Sequence, residues 1–155
     1  MAALAAVLAL VLLVGSGRSA TPVRAAGGGC PASFFVGLYG FTGSGFTSGV
    51  HGASLPTASG GELIVSPDPA PAVLTGTISG GMTVNDGRSV SRWVVNGTYS
   101  MNAGECRGSA TLNASSGATL HYDLVLTQWI NGPAQEVFFV RTDPRDPETL
   151  TLSNA

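Results

Sequence analysis

From Gly37 to Gly132 glycines recur every few residues, and between them stand only short runs rich in Val, Thr, Ile, Leu and Phe. A helix needs apolar residues at a 3.6-residue period over several turns, and no stretch after residue 25 keeps that period for three turns. Short strands separated by tight turns are the remaining way to bury the apolar side chains. The strand-like runs are Phe34 to Thr42, Phe46 to His51, Gly61 to Ser66, Ala72 to Ser79, Ser89 to Met101, Arg107 to Asn113, Ala118 to Gln128, Gln135 to Thr142 and Leu150 to Leu152. The third-last of these alternates cleanly: Leu120, Tyr122, Leu124 and Leu126 share one face, while His121, Asp123 and Thr127 share the other. In Glu136 to Thr142 neither face is cleanly polar.

Turn chemistry sets the order of pairing. Pro67-Asp68-Pro69, Asn85-Asp86-Gly87, Ser115-Ser116-Gly117 and Asn131-Gly132-Pro133 separate the runs, and the Asn/Asp-Gly pairs supply the positive φ that two-residue hairpins demand. Sequential strands are therefore expected to be antiparallel neighbours. Eight strands of about nine residues with about seven loops of about five use roughly 105–110 residues, close to what Phe34 to Leu152 offers. An eight-stranded up-and-down antiparallel barrel of lipocalin-like form fits this count, with a β-sandwich as the alternative. Closure also removes sheet edges, which this chain has few charges to protect.

Composition limits both compartment and partners. Residues 2–14 are uninterrupted apolar and no charge precedes Arg18, so residues 1–25 read as a secretory signal, with a cut after Ala25 or after Ala20. The apolar run is shorter than the roughly 20 residues a bilayer span requires, so no membrane span is expected after cleavage. Residues 26–155 are then one domain. Charged residues are 10% of the chain, and all seven cations are arginine. They are scattered rather than clustered, which argues against nucleic acid as a partner.

Two cysteines in an exported chain are most economically one disulfide, Cys30 to Cys106. Neither has the neighbours a tetrahedral metal site needs, so no metal is expected. No cofactor motif is present either.

Several local patterns suggest chemistry. His121 and Asp123 lie two apart on one strand face, the arrangement of an Asp-oriented histidine if that face lines a cavity and of a solvated outer face if it does not. Gly104-Glu105-Cys106-Arg107-Gly108 has the spacing of a nucleophile elbow, but an elbow needs a helix leaving it and here a strand leaves. Asp143-Pro144-Arg145-Asp146-Pro147-Glu148 gathers carboxylates without the spacing of a calcium loop, and reads as a stiff, solvated connection. Tyr39, Trp93, Tyr99 and Tyr122, with Trp129 and the Phe34-Phe35 and Phe138-Phe139 pairs, either fill a small barrel or line a pocket in it. Asn96-Gly97-Thr98 and Asn113-Ala114-Ser115 are formal glycosylation acceptors.

Cys30, Gly37-Leu38-Tyr39-Gly40-Phe41, Gly97-Thr98-Tyr99, Cys106-Arg107-Gly108-Ser109-Ala110-Thr111-Leu112, Tyr122-Asp123-Leu124-Val125-Leu126 and Glu136 to Asp143 stand in a recurring order. In this the chain resembles a group of small, uncharacterised exported bacterial proteins over roughly residues 30–144. The resemblance implies a calycin-like or allene-oxide-cyclase-like barrel and the Cys30–Cys106 bridge, in a group without an established activity. The chain departs from the group at its end, where only Leu150 to Ala155 stands in place of a closing strand and basic tail. Leu74-Thr75-Gly76-Thr77 looks like one strand of the streptavidin-like biotin binders, but the tryptophans such a site needs are missing.

Two functions follow as expectations. The first is a non-enzymatic binding or surface-interaction module, its partner a small apolar ligand or a surface protein. The second is a cyclase- or isomerase-like barrel acting on an apolar ligand in its cavity. Interior polarity separates them.

Overall fold

The computed structural model describes residues 34–48, 54–69, 74–102, 104–128, 133–143 and 147–155. Eight strands follow one another: β1 (Gly37–Ser48), β2 (Ser54–Pro67), β3 (Thr75–Asn85), β4 (Val90–Asn102), β5 (Arg107–Ala114), β6 (Thr119–Gln128), β7 (Glu136–Arg141) and β8 (Glu148–Asn154). Each pairs antiparallel with the next, and β8 pairs back onto β1 to close a barrel. The closing register sets Tyr39 opposite Asn154, Phe41 opposite Leu152 and Gly45 opposite Glu148. The short C-terminal run is thus a full closing strand, and the sandwich alternative does not apply. No α-helix occurs among the described residues.

The turn residues act as their chemistry requires. Gly87 and Gly117 have φ of +78° and +88°, and the Asp86 carboxylate accepts the backbone N–H groups of Arg88 and Ser89 at 2.9 and 2.7 Å. Those bonds hold the Asp86 carboxyl below its usual range. At the β4–β5 turn Cys106 itself adopts φ 54° and is buried.

Besides β8, three strands run longer than expected. The runs from Phe34 and from Phe46 form a single strand through Gly43-Ser44-Gly45, β2 starts before Gly60-Gly61, and β3 passes through Gly80-Gly81 to Asn85. None of these glycines breaks its strand, and Gly43, Gly45, Gly61 and Gly80 are places of close approach. A Cβ on Gly45 would lie 2.2 Å from the Pro147 carbonyl oxygen, and one on Gly43 would lie 2.3 Å from both Leu150 Cδ2 and Ser59 Oγ. Glycine in a strand interior marks this kind of contact as readily as it marks an end. His51, expected at a strand end, lies outside the described residues.

The inward faces alternate as pleating requires. β6 turns Leu120, Tyr122, Leu124 and Leu126 inward, and β7, whose two faces polarity alone does not distinguish, turns in Val137 and Phe139. Phe35, just before β1, plugs one end: its ring packs against Tyr39, Tyr99 and Phe139 with centroids 5.7, 4.9 and 6.1 Å away. The segment is anchored by an Ala134 N–H donating to the Phe34 carbonyl at 2.6 Å. Burying a ring of this kind contributes about 1.5–3 kcal/mol. Among the described residues, the plug leaves the other end, where β1–β2, β3–β4, β5–β6 and β7–β8 turn, as the open one.

Candidate functional site in the open end of the barrel

At the open end the inward-facing positions change from aliphatic to mixed. A cavity of about 200 Å³ is lined by Thr47, Met82, Val84, Trp93, Leu120, Arg141 and Glu148 among others. Each is placed by strand alternation: Glu148 continues the inward face of Leu150 and Leu152, and Arg141 that of Val137 and Phe139. Ser59 lies in the same way ahead of Leu63 and Val65 on β2.

The centre of the polar wall is Glu148. Ser59 Oγ donates to Glu148 Oε1 at 2.6 Å, and the Tyr122 hydroxyl donates to Oε2 at 3.1 Å. These contacts join β2, β6 and β8 across the bore. Tyr122 is fully buried. Burial, then the negative charge of Glu148, push its phenol well above the ordinary range, against the opposing pull of the Arg141 guanidinium. Tyr122 is therefore a neutral hydrogen-bond donor at any ordinary pH.

Arg141 is positioned at the rim by Asp143, whose carboxylate receives Arg141 Nε at 2.9 Å and the backbone N–H of His121 at 3.0 Å. Desolvation would raise the Asp143 carboxyl, but these two hydrogen bonds, with the charges of Arg141 and His121, outweigh it and hold the carboxyl low. One aspartate thus ties β6 to the end of β7 and fixes the direction of the arginine.

The residues singled out in the sequence fall into three places. Trp93 lines the cavity and Tyr122 supports its polar wall. Tyr39 and Tyr99 lie at the plugged end, their hydroxyls donating to the carbonyls of Phe34 and Phe35, each at 3.4 Å. His121 and Asp123 sit on the outer surface, where His121 Nδ1 faces Thr111 Oγ1 at 3.3 Å; the pair does not enter the cavity. Behind Cys106 the strand β5 leaves, so the elbow geometry is absent there. Cys30, Trp129 and the expected signal segment lie outside the described residues, as do residues 144–146 of the acidic connection.

Glu148 is the correction that matters most. Its local sequence reads as a solvated connection, yet it is the inward-pointing first residue of β8. Extending the Leu150–Leu152 alternation back by two residues finds it, and the same step from Phe139 finds Arg141. Ser59 has no comparable signal, because Gly60 and Gly61 interrupt the pattern beside it.

Among the described residues no cluster of three or more His, Cys, Asp or Glu side chains is arranged to hold a metal ion. Compared with protein-family models, with curated proteins and with solved structures, the chain finds no match in any of the three.

Proposed function

We propose that the protein is an exported, non-enzymatic barrel that binds a small molecule in its open end. The observation behind this reading is the cavity whose polar wall is prearranged, with Glu148 held by Ser59 and Tyr122 from two other strands. Prearranged polar groups beside apolar walls are what a small-molecule site requires. At about 200 Å³ the space is smaller than the roughly 300–1,000 Å³ of drug-sized ligand sites, so the ligand is a small one.

The chain's resemblance to small exported bacterial barrels is consistent with this role, as is an oxidising compartment for its cysteines. Cys30 is four residues ahead of Phe34 in sequence, and the Phe35 carbonyl is bonded to Tyr99 on β4, the strand whose C-terminal turn carries Cys106. That proximity favours the Cys30–Cys106 disulfide.

The second reading, an isomerase- or cyclase-like activity on an apolar ligand, draws on the Tyr122–Glu148 pair as a proton donor and acceptor in one cavity. The raised phenol of Tyr122 favours holding a proton over exchanging it, which supports binding over chemistry.

Native mass spectrometry and a thermal-shift screen of small amphipathic molecules test the proposal. At least one molecule should raise the melting temperature by several degrees at a hundredfold excess over its Kd, and Trp93→Ala should abolish that shift. Silence across such a screen, or a shift that survives Trp93→Ala, would refute binding in the open end.

A further inference from the structure

Resting on the reading of the open end as a binding site, the geometry points to a ligand class: a small organic cation, an ammonium group on an apolar or aromatic body, held by Glu148 within the walls of Trp93, Met82, Val84 and Leu120. The Glu148 carboxylate sets the preference. Ser59 and Tyr122 each donate to it from a neutral hydroxyl, which orients the group without cancelling its charge. Because Tyr122 keeps its proton and donates it, Glu148 is the acceptor in both bonds.

A carboxylate offers about four acceptor positions. Neutral hydroxyls take two of them, and Glu148 also borders the cavity. The charge balance of the cavity mouth leans the same way. Among the described residues its lining acids are Asp86 and Glu148 and its lining cation is Arg141, whose Nε is directed onto a third carboxylate, Asp143. An excess of negative charge beside a partly desolvated wall is costly, and a cation entering the cavity would offset it. An anionic ligand would add to the excess.

The walls decide which cation. A hydrated metal ion gains nothing from Met82, Val84 and Leu120, whereas an organic ammonium buries its hydrocarbon against them. Tryptophan is also the aromatic side chain that attracts cations best. The cavity volume suits one ring with a short amine arm.

Calorimetric titration of the purified protein with 2-phenylethylamine, 2-phenylethanol and 3-phenylpropanoate separates the possibilities, because the three share a ring and differ in charge. The amine should bind at least tenfold more tightly than the alcohol, equivalent to about 1.4 kcal/mol, and the carboxylate should not bind. In Glu148→Gln the amine should fall to the alcohol's affinity, while Asp123→Asn, which removes an equal charge from the outer surface, should preserve the preference. The unaltered protein's own ranking of the three probes stands whether or not either variant folds. Equal binding of amine and alcohol, or tighter binding of the carboxylate, would overturn the cation inference and leave the binding reading intact. If none of the three binds while neutral molecules from the thermal-shift screen do, the cation inference is again overturned; if nothing binds at all, both fall.

Discussion

Tyr39, Tyr99 and Tyr122 are the chain's three tyrosines, all three are buried, and burial raises the phenol of each. For Tyr39 the value is pushed up to about 12, against the opposing pull of a backbone hydrogen bond. The folded state therefore prefers the neutral phenols. The stability this contributes is complete below the ordinary value of 10.0 and is lost as pH climbs above it toward the folded values. In an alkaline titration followed by phenolate absorbance, an exposed tyrosine is roughly nine-tenths ionised at about pH 11. This protein should show clearly less phenolate than that while it stays folded, and the remaining absorbance should appear together with loss of the β circular-dichroism signal. A separate step near pH 10 in the folded protein would contradict the burial of these rings. That Tyr39, Tyr99 and Tyr122 lie inside is legible from their positions in alternating runs. Which of them borders a cavity is not, because alternation gives the face of a strand and not the height along the bore.

The strands obey a simpler logic than their glycines suggest. Gly45 sits opposite Glu148 where β8 meets β1, and an added methyl there would collide with backbone that cannot turn away. Gly45→Ala should destabilise by about 1–3 kcal/mol, the usual range for overpacking, and should also displace Glu148 and weaken ligand binding. Gly81, on the outer face of β3, has nothing within 4 Å of where a methyl would sit. Gly81→Ala should leave the urea midpoint unchanged or raise stability by about 0.4–1 kcal/mol through a more restricted unfolded chain. If both variants shift the midpoint alike, the assignment of Gly45 to the strand contact is wrong. In the sequence the two glycines look the same, each between a small residue and a large apolar one in a β-rich run. The collision at Gly45 involves Pro147, about a hundred residues away in the chain and adjacent only once the barrel has closed.

At the scale of the molecule, closure is what makes the open end a site. The Ser59–Glu148 bond spans 89 residues of chain, and β8 brings it about by pairing with both β7 and β1. The proposed Cys30–Cys106 link would constrain the unfolded chain across a long loop and be worth up to about 4 kcal/mol. Alkylation of the unreduced protein should label no thiol, and reduction should lower the denaturation midpoint without removing the β spectrum; two labelled thiols in the native, unreduced protein would rule the link out. The sequence by itself determined the antiparallel strands, their order and the inward face of β6, because these depend on period-two alternation and on turns only a few residues long. Only the tertiary structure decided which end is plugged and which is open, and that Ser59, Tyr122, Arg141 and Glu148 meet there. Their meeting depends on the register in which distant strands close the barrel, and no local pattern encodes that register.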